Sequence, residues 1–198
     1  MRLFKRSYKN ASDEELMRFI ALGEKNAFDE LYKRFAENLH YYFWRKLKKD
    51  AEKAEDFVQD IFTKIIEKPH LFDTSRNFKT WVFSVANNMC KNEYQKMEVR
   101  SSVQNGLDES YAITENEKSP LHELSDKEFV EQLNTLLSQM DTKHSEVFRL
   151  RHIDGFSLQE IAEVLEIQVG TVKSRLFYAT KHITKELEQF NPKSNALS

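Results

Sequence analysis

Six polar side chains crowd one short stretch near the end of the chain: Thr171, Lys173, Ser174, Arg175, Tyr178 and Lys181. Each carries a hydrogen-bond donor. An arginine can hold a guanine edge through two parallel bonds, while lysines and hydroxyls reach phosphates. A second set, Asp56, Gln59 and Asp60, falls at i, i+3 and i+4, which gathers three polar groups on one face of a helix. A third is the pair Asn88 and Asn92, one helical turn apart, whose amides can bond both ways to a base edge. Lys79, Lys91, Lys96 and Arg100 stand near them as candidate phosphate contacts. This is chemistry of recognition. For catalysis the chain offers little: its six His have no ligand spacing and no glycine-rich phosphate loop occurs. A single Cys90 excludes an internal disulfide and a thiolate metal cluster. No cofactor and no metal are expected.

The elements that position these groups are helices. Ser157-Leu158-Gln159-Glu160 is a capping box, in which Ser157 can take the Glu160 amide while Glu160 reaches back. Leu158, Ile161, Ala162 and Leu165 then line one face. After a four-residue break, Val169, Val172 and Leu176 line the inner face of a second helix, leaving the six polar residues on its outer faces. Two short helices around a tight turn, the second with donors outward, make a helix-turn-helix of a width the major groove admits. The same periodicity also fits a helical hairpin with a solvated charged face.

The other helices read just as directly. A Ser12 cap opens one, with Leu16, Phe19 and Ile20 inward. A second spans Asn26 to about Lys49, striped by Phe28, Leu31, Tyr32, Phe35 and Leu39. A third runs from Ala51 to Lys68, stopped by Pro69. A fourth begins near Asn77, with Phe78, Trp81, Val82, Val85 and Met89 inward. Further on, Phe129, Leu133, Leu136, Leu137 and Met140 form one stripe, and Val147, Leu150 and Ile153 another, before Gly155. Only 4 Gly and 3 Pro punctuate 198 residues, so an all-α fold is expected. Between the two helical groups, residues 101–131 hold eight acids against two lysines, a balance of −6, with Gly106 and Pro120. Residues 100–122 read as a flexible acidic linker between two small domains, or else as an ordered acidic loop. The net charge of −2 announces no global affinity for nucleic acid. No apolar run is long enough to cross a membrane, and the basic start MRLFKRSYKN lacks the apolar segment of a secretory signal.

The order of residues goes further than their periodicity. GFSLQEIAEVLEIQVGTVKSRLFYATKHI closely resembles the C-terminal DNA-binding region of bacterial sigma factors of the extracytoplasmic-function (ECF) group, within the sigma-70 family. Two positions depart from that family's pattern: Glu166 stands at the usual turn glycine and Gln168 at the usual Pro or Ser. AEKAEDFVQDIFTKII resembles the family's second region, and FKTWVFSVANNMCKNEY its promoter-opening segment, with Asn87 where many relatives carry a basic residue. The resemblance covers residues 12–190. It implies a region 2 domain over 12–99, a linker over 100–122 and a region 4 domain over 123–190. It implies an alternative sigma factor, not an enzyme, that binds core RNA polymerase through the β′ clamp coiled coil and the β flap. Asp56, Gln59 and Asp60 would grip the β′ coiled coil. The loop Leu71–Arg76, with Thr74, Ser75 and Arg76, and the helix carrying Lys79, Asn88, Lys91 and Asn92 would trap a base flipped from the −10 element. Thr171, Lys173, Ser174, Arg175, Tyr178 and Lys181 would read the −35 element. An anti-sigma partner, a cytoplasmic location and no membrane insertion are implied too. The rival reading is a stand-alone dimeric regulator with the same helix-turn-helix, which would have no use for the 56–60 face.

Overall fold

The structure, a computed structural model, describes residues 8–103 and 127–187. Among these are eight α-helices, one 3-10 turn and no strand, so the described part of the chain is all-helical, as its scarcity of Gly and Pro leads one to expect. The part of the expected acidic linker from residue 104 onward lies outside the described residues.

The first group of helices comprises α1 (Asp13–Ala21), α2 (Lys25–Lys46), α3 (Ala51–Glu67), the 3-10 turn Pro69–Leu71 and α4 (Phe78–Val103). Local chemistry sets the boundaries. Ser12 and Glu15 form a reciprocal capping box on α1, at 3.1 and 2.8 Å. Asp50 accepts the Lys53 amide at 3.0 Å and so opens α3. Asn77 takes the Thr80 amide at 2.8 Å at the start of α4. α2 ends at Lys46, short of the expected Lys49, because Lys48 and Lys49 turn left-handed, at φ 55° and 64°. α4 runs through Val103, past the expected end of the first domain.

Apolar burial holds this group together. Leu16, Met17, Leu31, Leu39, Phe43, Ile61, Ile65, Phe78 and Phe83 are each no more than 2% exposed. The buried face of α4 differs from the expected stripe. Phe78, Val82, Phe83, Ala86 and Cys90 are buried, while Trp81, Val85 and Met89 are half-buried. Trp81 packs at the core's edge, its ring 5.1 Å from Phe72 and 5.7 Å from Phe78. Tyr32, expected inward on α2, is 44% exposed and rests on Phe62 at 4.7 Å.

Two ionic clips add to the core. The Arg34 guanidinium bonds Asp13 at 2.8 Å and Glu30 at 3.0 Å, and donates to the carbonyls of Tyr8, Lys9 and Ala11. It thereby ties the segment before α1 to α2. The Lys53 ammonium donates to Glu93, joining the start of α3 to α4.

The second group comprises α5 (Lys127–Gln139), α6 (Thr142–His152), α7 (Leu158–Leu165) and α8 (Val169–Glu186). Asp141 caps α6. Gly155 stands at φ 72°, where a side chain would clash, and frees the chain to turn into α7. Leu137, Phe148, Ala179, Ile183 and Leu187 form the buried cluster, with Leu133, Leu136, Ile153 and Leu176 half-buried against it. Val172 is fully buried, but Leu176 sits at the rim. The α8 inner face continues instead through Ala179 and Ile183.

Two outcomes follow. Leu137→Ala should cost about 3 kcal/mol, as a buried leucine does, whereas Leu176→Ala at the rim should cost roughly half that; urea melts of both variants check the order. The Lys53 ammonium holds the Glu93 carboxyl below its ordinary value, against an opposing push from burial. A carboxyl with a depressed folded pKa stabilises fully above its unfolded value, about 4.3, and loses that contribution as pH falls through the folded value. Glu93→Gln should therefore be less stable at neutral pH and lose less further stability on acidification from about pH 5 downward, read by melts across that range.

Candidate nucleic-acid interface

The helix-turn-helix forms as its capping residues require. The Glu160 amide donates to the Ser157 hydroxyl at 3.2 Å and the Ser157 amide to the Glu160 carboxylate at 2.8 Å. The turn after α7 passes through Glu166 at φ 57°, the position the sequence departs from glycine. The Ile167 amide closes that turn on the Ala162 carbonyl at 3.0 Å. The left-handed geometry is thus retained by a residue that bears it at a cost on the order of 1 kcal/mol. Gln168 stands at the cap of α8 with no side-chain bond to the helix, whose first turn closes on the Gln168 carbonyl.

Burial of Val172, Ala179 and Ile183 decides what α8 turns outward. Lys173, Ser174, Tyr178 and Lys181 are exposed, and Thr171 and Arg175 are half-exposed on one flank. Among the described residues no hydrogen bond or ion pair occupies the Arg175, Lys173 or Lys181 side chains. Ser174 donates to the Thr171 carbonyl at 3.0 Å. The Tyr178 ring lies 6.0 Å from His144 and 5.5 Å from Phe177. Phe177 is 61% exposed on the same face and escaped the sequence reading. Its signal was an aromatic residue falling outside the inward stripe. At 1.5 Å per residue, Thr171 to Lys181 spans about 15 Å, slightly more than the major groove's width.

On α3, Ala54, Val58, Ile61, Phe62 and Ile65 face the core. Asp56, Gln59 and Asp60 are all exposed, with no partner among the described residues. The three side chains are brought together as their spacing requires. Ile66, 54% exposed, continues the face about two turns beyond Gln59 and one beyond Thr63. The sequence reading passed over it because its neighbour Ile65 satisfies the inward stripe.

The third set divides. Asp73 accepts the Ser75 amide at 2.9 Å and the Ser75 hydroxyl at 2.8 Å. These two bonds, the amide first, hold its carboxyl below the ordinary range, with Arg76 adding to the effect. They also fix the loop that presents Thr74, Ser75 and Arg76. Lys79 lies in the first turn of α4, beside that loop. Asn88, Lys91 and Asn92 share one face further along, half-exposed or exposed. About 15 Å of helix separates Phe78 from Asn88 and about 21 Å separates it from Asn92. Lys79 stands nearest that loop in sequence, and the two asparagines lie about two and a half and three and a half turns further along the same helix. Asn87 turns inward, accepting the Tyr42 hydroxyl at 3.3 Å, so no phosphate contact is made from that position. Among the described residues no group of His, Cys, Asp or Glu is arranged to hold a metal ion, and no helix is long and apolar enough to cross a membrane.

Two family profiles match the chain: sigma-70 region 2 over residues 31–98 and sigma-70 region 4 over residues 130–183. The ECF RNA polymerase sigma factor SigL of Mycobacterium tuberculosis is 31% identical over 170 residues, 85% of this chain and 93% of that one. SigW of Bacillus subtilis, another ECF sigma factor, is 26% identical over 174 residues, covering 85% and 92%. Among solved structures, the sigma factor RpoE of Bartonella quintana, crystallised with the anti-sigma factor NepR, is similar at a TM-score of 0.57 and 25% identity, over 81% of this chain and 96% of that one. Two sigma-70 regions in order, carried by one helical chain, and relatives matched over nearly their whole length lead to one assignment: the chain belongs to the ECF group of RNA polymerase sigma factors.

Proposed function

We propose that this chain is an alternative sigma factor that binds core RNA polymerase and directs initiation at promoters selected by their −35 and −10 elements. The observation that carries the reading is the pairing, in one chain, of an unoccupied polar face on α3 with a helix-turn-helix whose outward cations are also unoccupied. A stand-alone DNA reader would use only the second. The domains are residues 12–99 and 123–190, joined by 100–122. The chain has no catalytic chemistry of its own, needs no cofactor and works in the cytoplasm, where an anti-sigma factor restrains it.

Each surface has a distinct task. Asp56, Gln59 and Asp60 meet the β′ clamp coiled coil, with Ile66 adding an apolar contact at the end of that face. The second domain docks on the β flap and sets α8 in the −35 major groove. There Arg175 reads a guanine edge, Thr171, Ser174 and Tyr178 make shorter polar contacts, and Lys173 and Lys181 take the flanking phosphates. Phe177 offers an apolar surface to a thymine methyl. At the −10 element the loop 71–76 with Lys79 receives one flipped base, and Asn88, Lys91 and Asn92 hold nucleotides several steps along the strand. Extruding a base costs a few kcal/mol and least at a deformable step. The direct test is run-off transcription of fragmented genomic DNA by core polymerase with and without the chain. Discrete new transcripts are expected; an unchanged pattern overturns the reading.

Two substitutions separate the tasks. Gln59→Ala with Asp60→Ala should leave stability within about 0.5 kcal/mol, since both are exposed. It should weaken capture of core polymerase on the order of ten-fold, about 1.4 kcal/mol. Unaltered pull-down would remove that face from the interface. Arg175→Ala should melt like the wild type and lose about 1–3 kcal/mol of discrimination between intact and −35-mutated promoters. Selection at −10 should be untouched, and retention of wild-type −35 preference and salt dependence would show that Arg175 meets no DNA.

A further inference from the structure

The turn between α2 and α3 concentrates charge that none of the contacts above uses. Arg45, Lys46, Lys48 and Lys49 fall within five residues. Lys48 and Lys49 stand at φ 55° and 64°, where an L side chain crowds its own backbone and glycine would not. Strained backbone of this kind gathers at working positions. Aromatic rings hold the cations in place. The Arg45 guanidinium lies 4.8 Å from the Tyr41 ring centre, the Lys46 ammonium 5.7 Å from Tyr42, and the Lys49 ammonium 5.7 Å from Trp44. Tyr41 and Trp44 stack on each other at 5.9 Å and 21°, so the platform under Lys49 is itself braced. Among the described residues no ion pair involves Lys48 or Lys49, both of which are exposed.

α4 extends this surface. The Tyr94 hydroxyl donates to the Lys46 carbonyl, and the Lys53 ammonium bonds Glu93. The turn is therefore fastened to the stretch of α4 that begins one residue after Asn92. Lys96 and Arg100 lie close enough to Glu93 to add to the pull on its carboxyl. Of the carboxylates nearest the turn, Asp50 caps α3 and Glu93 takes Lys53, while Glu52 lies in the first turn of α3 and Glu98 between Lys96 and Arg100 on α4.

We propose that the α2–α3 turn, continued by Lys96 and Arg100, is a second phosphate-binding surface, which grips the double-stranded DNA bordering the segment held by Asn88 and Asn92. The inference rests on the sigma-factor reading. Charge complementarity selects the partner. Exposed single ion pairs with a protein carboxylate contribute little. A duplex presents a charge every 1.7 Å of its axis, so each cation finds a phosphate and each contact releases a counterion. Cations steadied by rings also lose less freedom on binding than free lysine stems.

The test uses holoenzyme assembled from core polymerase and the full chain, with a promoter fragment recovered by run-off transcription. Lys48→Gly with Lys49→Gly removes both charges and also relieves the left-handed strain, so the variant should melt no lower than the wild type. It should bind core polymerase equally well. Its slope of log affinity against log salt should fall by about 2, near 0.9 for each phosphate lost. The weakening should be alike on promoters mutated at −35 or −10, and Lys48→Arg with Lys49→Arg should restore it. An unchanged slope, or a loss of core affinity with DNA binding intact, overturns the proposal, the latter outcome assigning the turn to the polymerase. A wild-type chain that gives core polymerase no promoter preference overturns the sigma-factor reading and this inference with it.

Discussion

A helix can devote only one stripe of its surface to a core, and that constraint organises this protein. In α8 the stripe is Val172, Ala179 and Ile183, the last two closed against Leu137 and Phe148. Once those groups are buried, the rotation of the helix about its own axis is fixed. Arg175, Ser174 and Tyr178 then have no choice of direction. In α3 the stripe is Ala54, Val58, Ile61 and Ile65, and Asp56, Gln59 and Asp60 look outward for the same reason. Recognition surfaces here are the remainder left by hydrophobic burial. Their precision comes from the packing beneath them, which is dense enough to forbid a slip of even one residue.

The free energy involved in recognition is small beside that of folding, and the structure keeps the two apart. Residues assigned to DNA and polymerase are exposed or half-exposed. Residues that close the helices are engaged locally: Ser12 with Glu15, Asp50 with Lys53, Ser157 with Glu160. This separation permits binding contacts to vary without cost to the fold. It also explains how a chain of net charge −2 handles DNA. Cations outnumber acids on α8, on α4 and at the α2–α3 turn, so the local field there differs in sign from the total.

Much of this was legible in the residues. The capping boxes, the left-handed Gly155, the inward stripe of α3 and the helix-turn-helix all follow from interactions within four residues, which neighbours in sequence decide. The all-helical class followed from the lack of turn-forming residues. The sequence motifs also located the three polar sets, because each is defined by spacing along a single helix.

What the tertiary structure alone decided depends on neighbours far apart in the chain. α4 is rich in apolar residues on several faces, so periodicity could not say which one packs; contact with α2 and α3 chose Phe78, Val82, Phe83, Ala86 and Cys90 and left Trp81, Val85 and Met89 at the edge. Leu176 fits the inner stripe of α8 by spacing, yet it sits at the rim because Ala179 and Ile183 fill the space against α6. Phe177 and Ile66 became visible as surface groups only when their neighbours took the core positions. The continuity of α4 sets Asn92 about 21 Å along the axis from Phe78, a rise fixed per residue once the helix is known to be unbroken. Sequence determines what each helix can present. The partners that bury its other face determine what it does present.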